Sequence, residues 1–218
     1  MSDINRRRAL GLGGGLGVIA ASGLAMPVLG GTALAQERDN PMPEELRKSL
    51  ERDPTAPVLG NPDGDITLTE FFDYNCPFCR KMVDPIHRLI TSDPKLRVVF
   101  REWPVFGADS EFATRASLAS LQQGRYWQMH TALFRTRGRV TEAATMRAAR
   151  EVGLDTARLE RDMAAEPVER HIANSHMLAE HMGLMGTPSF IAGDEGAFGE
   201  YSLDELRGLV QRARETMG

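Results

Sequence analysis

Apolar and polar positions alternate differently along successive parts of the chain, and the changes of period mark its elements. Residues 66–72 are strand-like. A two-residue period puts Ile66, Leu68, Glu70 and Phe72 on one face, so an acid stands among apolar neighbours. A helix-like run follows over 77–90, and then a second central strand over 95–101 carrying Val98, Val99 and Phe100. It stops at Glu102-Trp103-Pro104, because proline has no N–H to give a sheet ladder.

Residues 109–183 carry almost no strand signal. Phe112, Ala116 and Ala119 recur at helical spacing, as do Trp127, His130, Leu133 and Phe134. Start and stop residues predict further helices over 141–152 (Thr141, Glu142), 155–164 (Asp155) and 167–182 (Pro167 leading, Gly183 closing). Strand character returns at 189–192, with a turn at Gly193-Asp194-Glu195-Gly196 and a short strand near Ala197-Phe198. Ser202-Leu203-Asp204-Glu205 is a capping box opening a last helix. Upstream, Ala56-Pro57-Val58-Leu59 reads as an edge strand and Asn61-Pro62-Asp63-Gly64 as a turn. This order predicts an α/β sheet with a helical block inserted at about 109–183.

The first residues carry a different pattern. Arg6-Arg7-Arg8, a Gly/Ala/Leu run to Met26 and Ala33-Leu34-Ala35 predict an export signal over 1–35, cut near Ala35. Paired arginines before a weakly hydrophobic segment fit the twin-arginine type, with the ordinary secretory route as the alternative. An uncleaved membrane anchor is the competing reading, but five glycines between Gly11 and Gly17, and Pro27, make a poor span. Residues 36–54 form a charged extension in which Met42, Leu46 and Leu50 stripe one helix face. That helix packs on its own domain or supplies an oligomer contact. The chain has a net charge of −4, of which +2 (three Arg, one Asp) lies in residues 1–35, leaving −6 for an acidic exported protein unsuited to nucleic acid.

Cys76 and Cys79 are the only 2 cysteines. They stand where strand passes into helix, with Pro77 suited to the first helical turn. Unpaired N–H groups and the helix dipole favour a thiolate on Cys76, and Cys79, one turn on, is placed to resolve a mixed disulfide. A loop this short gains little as a structural staple. A zinc half-site lacks its second cysteine pair, and His171, His176 and His181, five apart, point different ways on a helix. Glu70 is either a buried carboxyl that exchanges protons with the thiols or an edge-strand carboxylate reaching solvent. Pro188, in Gly186-Thr187-Pro188-Ser189, is either an ordinary trans proline or a cis one that turns the Thr187 backbone toward a passing peptide. His130 reads as a packed core histidine.

Phe71-Phe72-Asp73-Tyr74-Asn75-Cys76-Pro77-Phe78-Cys79, Glu102-Trp103-Pro104, Tyr126-Trp127-Gln128-Met129-His130-Thr131-Ala132-Leu133-Phe134 and Gly186-Thr187-Pro188-Ser189-Phe190 together resemble the DsbA-type thioredoxin-fold oxidoreductases of the bacterial periplasm. The resemblance implies a thioredoxin fold split by a helical domain, occupying 55–218. It implies that Cys76 is an exposed nucleophile, Cys79 its partner and Glu70 the acid beneath them, and that a cis Pro188 borders a peptide groove with Thr187, Pro77 and Phe78. It further implies no cofactor or metal, secreted proteins as clients, and a membrane redox partner, either a DsbB-like oxidase or a DsbD-like reductase. Two departures matter. Phe78 replaces the histidine of the best-known oxidases, which predicts a weaker oxidant. Thr187 replaces valine, which is more typical of the ScsC-like and DsbC-like branches. The expected activity is disulfide formation or shuffling in secreted proteins; the alternatives are an isomerase or reductase kept reduced by a membrane donor, and a non-redox chaperone-like module.

Overall fold

The structure, a computed structural model, describes residues 41–217. The expected signal segment and its cleavage point lie outside the described residues. A five-stranded sheet of order β1-β3-β2-β4-β5 forms from β1 (Val58–Gly60), β2 (Ile66–Phe72), β3 (Leu96–Glu102), β4 (Ser189–Ala192) and β5 (Glu195–Phe198). β2 and β3 run parallel, joined by helix α2 (Pro77–Ser92); the other pairings are antiparallel. Both central strands are buried along their whole length, as strands covered on two faces must be. Between β3 and β4 stand five α-helices: α3 (Ala108–Ala119), α4 (Tyr126–Arg135), α5 (Glu142–Glu151), α6 (Thr156–Asp162) and α7 (Glu166–His181). This is a thioredoxin-type sheet with a helical insertion.

Local sequence explains most boundaries. Thr141 caps α5 by accepting from the N–H of Ala144, and Asp155 caps α6 through Arg158. The box at helix α8 (Leu203–Met217) closes in both directions: Ser202 N–H donates to Glu205 Oε2 (2.8 Å) and Glu205 N–H to Ser202 Oγ (3.3 Å). One turn is tighter than expected. Glu195 and Gly196 belong to β5, because Gly193, at a φ of 58°, and Asp194 suffice to reverse the chain.

The main core lies between one sheet face and α2, α3, α4 and α8, and includes both cysteines. On the other face, helix α1 (Glu44–Glu51) sets Leu50 against Phe71, Leu178, Ala179 and Ile191, with Met42 and Leu46 alongside. The stripe of Met42, Leu46 and Leu50 therefore packs on its own domain. Two charged side chains of β3 fasten α1. Arg101, fully buried, donates from Nη2 to the carbonyl of Leu50 (2.8 Å) and from Nη1 to Asp53 Oδ2 (2.8 Å); it also reaches the carbonyl of Ser49. Arg97 donates to the carbonyl of Glu51. These cations meet the negative end of the helix.

Candidate active site

β2 delivers the chain to Asp73, whose buried carboxylate gathers the loop behind it. Its Oδ1 accepts from Asn75 N–H (2.6 Å) and Ser110 Oγ–H (2.7 Å), its Oδ2 from the N–H groups of Val105 (2.7 Å) and Phe106 (3.0 Å). Asn75 extends the tie to the insertion, exchanging hydrogen bonds with the N–H (2.8 Å) and carbonyl (3.3 Å) of Val140. Cys76 is thereby fixed as the N-cap of α2, with Pro77 at the first helical position. Apart from the N–H of Asn75, two positions on, the partners of Asp73 and Asn75 lie 32 to 65 positions away, so the local sequence did not mark them for this role.

Cys76 Sγ accepts from Cys79 N–H (3.3 Å) and donates to the carbonyl of Thr187 (3.2 Å). The nearby Cys79 thiol, then Thr187 and the N–H groups of Cys79 and Phe78, outweigh burial and draw the Cys76 thiol down to about 6. Cys79 is driven the other way, first by burial and then by Cys76. One expectation needs correction: Cys76 is 1% exposed, not an open nucleophile, because its sulfur is tucked under Thr187.

Glu70 lies in a central strand between β3 and β4, 4% exposed, which removes the edge-strand reading. Burial first, then the negative charges of Cys76 and Glu102, push it up to about 8. The Thr187–Pro188 bond is cis. Phe78 (52% exposed), two residues past Cys76, Met185 (86%) and Phe198 (54%) are exposed apolar side chains, and Phe198 lies against Gly186, the residue before Thr187. Lys81 lies over the Phe78 ring at 5.6 Å and pairs with Glu200 (2.8 Å).

The histidines do other work. His130 is sealed among Phe72, Phe100, Trp127 and Phe134, where burial lowers its pKa to about 3. His171 faces Glu102 and His176 accepts from Trp103 Nε1 (3.1 Å). Among the described residues no three His, Cys, Asp or Glu side chains stand together as metal ligands.

The DSBA-like thioredoxin domain family matches residues 67–211. A thioredoxin-like oxidoreductase from Silicibacter pomeroyi DSS-3 is 50% identical, with a TM-score of 0.76 over 78% of this chain and 98% of that one. The thiol-disulfide exchange protein alpha-DsbA2 from Wolbachia pipientis is 27% identical, with a TM-score of 0.72 over 77% and 91%. A periplasmic thioredoxin-like protein from Salmonella enterica serovar Typhimurium is 25% identical, with a TM-score of 0.73 over 81% and 99%. The Na(+)/H(+) antiporter NhaA 3 of Salinispora tropica is 26% identical over 158 residues, 72% of this chain but 24% of that protein. The chain thus spans about a quarter of the length of that curated relative, and antiport is not carried over with the match. The family match covers most of the described fold, and on that ground the chain belongs to the DSBA-like thioredoxin domain family and is an oxidoreductase with a thiol–disulfide exchange fold.

Proposed function

We propose that this chain is an exported thiol:disulfide oxidoreductase that forms disulfides in secreted proteins through Cys76 and Cys79. The observation that carries the reading is the opposed state of the two thiols: Cys76 drawn down to about 6, Cys79 driven up, with Glu70 beneath them at about 8. A client thiolate attacks the Cys76–Cys79 disulfide at Cys76. The bond to Cys79 breaks, and Cys79 leaves with the bonding pair and takes the proton of Glu70, while Cys76, drawn down to about 6, is the good leaving group of the step that follows. The client's second thiol then resolves the mixed disulfide. Glu70 serves Cys79. Its proton is held partly by the charge on Cys76, so it becomes a better base when Cys76 is bonded to a client. The exposed apolar side chains of Phe78, Met185 and Phe198 suit unfolded segments, and Pro77, Thr187 and Pro188 border their path. A membrane partner, oxidase or reductase, resets the pair. Export to the periplasm is supported by the signal-like residues 1–35 and by the periplasmic Salmonella relative.

A second direction, isomerase or reductase, is favoured by one observation. A Cys76 near 6 falls between thioredoxin at about 7 and DsbA at about 3.5, as the missing histidine at Phe78 implies. Equilibrating the chain from Gln36 onward with glutathione, with thiol alkylation as readout, decides between them. A potential near about −120 mV supports disulfide donation, one at roughly −200 mV or below the reverse. A pair that never exchanges with glutathione refutes both and leaves only a chaperone-like binding module.

A further inference from the structure

A second buried carboxyl shares the sheet face of Glu70 and has no part in the steps above. Glu102 closes β3, fully buried, and its register with Phe72 puts it on the same sheet face as Glu70, one pleat along on the neighbouring strand. Tyr126 of α4 donates to its Oε1 at 2.6 Å. His171 of α7 brings Nε2 to 2.9 Å from its Oε2, with no hydrogen bond made there. Burying a carboxyl at a strand end, with a single hydrogen bond, is costly for stability alone. A hydrophobic residue there would pack against Phe72 and Phe100 without that cost.

We propose that Glu102 is a positioning residue for thiol exchange: its carboxylate, held by Tyr126 and faced by His171 on the sheet face that carries Glu70, governs the transfer of the Cys79 proton to Glu70. The inference rests on the proposed redox function and adds a residue to it. In the step concerned, Cys79–SH passes its proton to a Glu70 oxygen while its electron pair forms the Cys79–Cys76 bond. The Cys76–client bond breaks, and the client sulfur leaves with the bonding pair as a thiolate. The pair is oxidised by two electrons and the client disulfide is reduced; the opposite direction returns the proton from Glu70 to Cys79. A negative charge on Glu102 opposes ionisation of Glu70, which is the direction in which Glu70 is perturbed.

Few other charges reach this pocket. From the loop and α2 come Tyr74, hydrogen-bonded to Ser117 (2.6 Å) and His130 (3.2 Å), Asp73 with four donors, and the two cysteines. From α4 come Tyr126 and His130, from α7 His171. Arg101 of β3 turns to the opposite face, and α8 brings only Leu206, Leu209, Val210 and Ala213. Glu102 is therefore the one carboxyl besides Asp73 placed to act on Glu70 among the described residues, and Asp73 is occupied in holding the loop.

The test is the pH profile of glutathione exchange by the full chain, with thermal unfolding as a control for folding. Glu102→Gln keeps an acceptor for Tyr126 and removes the charge. It is expected to move the Glu70 limb of the profile down by about one pH unit, the size of a charge acting across one sheet diagonal. Glu102→Asp, which keeps the charge, restores most of the shift. A Glu102→Gln protein that folds and keeps the wild-type midpoint overturns the proposal. If that variant does not fold, carboxyl carbon resonances of the wild-type protein decide. Coupling requires the Glu102 signal to inflect at the midpoint of Glu70, and a signal flat through that point overturns the proposal. Failure of the redox reading itself is separate and is seen first, as a wild-type protein that does not exchange with glutathione.

Discussion

Replacing Glu70 with Gln makes a prediction whose sign and size both follow from burial. In the folded, reduced protein this carboxyl is raised from 4.5 to about 8. Between those values the folded state keeps a proton that the unfolded chain has released, so the group's contribution to stability falls as pH rises. At about 1.36 kcal/mol per unit, the cost is under about 1 kcal/mol at pH 5, about 3 at pH 7, and levels off at nearly 5 above pH 8. Glu70→Gln removes that dependence and leaves only a constant offset from the buried amide. Cys76 works in the opposite sense. Its pKa falls from 9.0 to about 6, so its stabilisation is complete above pH 9 and is lost as pH drops through 6. Both proteins carry that term, so it largely cancels between them. Urea unfolding of the reduced proteins at pH 5, 7 and 8.5 is the assay. The variant's advantage should grow by about 2 to 3 kcal/mol from pH 5 to pH 7. A difference that stays flat over this interval would refute the assignment of Glu70 as a buried, proton-holding acid.

Other substitutions test separate parts of the argument. Phe78→His should favour the reduced pair about tenfold, a potential higher by about 30 mV against glutathione, and an unchanged equilibrium would deny that this position tunes Cys76. Asp73→Ala strands the N–H groups of Val105 and Phe106 and the hydroxyl of Ser110, so denaturant unfolding should show a loss of about 3 kcal/mol or more. A loss below about 1 kcal/mol would mean that water replaces the carboxylate freely. Leu50→Ala opens a cavity on the far face of the sheet and should cost about 2 to 4 kcal/mol while leaving the glutathione equilibrium unaltered. A shifted equilibrium there would show that the two faces are coupled.

What could be read from the sequence was what neighbours in the chain decide. The parity of 66–72, the caps at Thr141 and Asp155 and the reciprocal Ser202 and Glu205 bonds need only residues within a turn or a strand, and all appear as expected. The site divides along the same line. Cys76 at a helix start is a local fact, and the cis Thr187–Pro188 bond followed from the resemblance. The burial of Cys76 depends on Thr187, 111 positions away, and the clamp of Asp73 on residues 105–110, 32 to 37 positions away. Arg101 gave no local hint of being buried, since a strand-end arginine ordinarily reaches water and this one finds carbonyls 51 positions upstream. The Glu102 pocket likewise exists only once α4 and α7 have packed on the sheet.

The clasp on α1 has a practical consequence for anyone who cuts this chain. Family similarity begins at residue 67 and ends at 211, but the contacts that hold the fold cross both borders. An excised 67–211 fragment loses Asp53 and the carbonyl of Leu50, which leaves Arg101 without its counter-charge and uncovers the apolar face that Leu50 fills. At the other end it loses Arg214, which ties α8 to Asp65 (2.8 Å) and Asp93 (2.7 Å). The smallest autonomous folding unit is therefore wider than the recognisable domain, and it starts no later than α1.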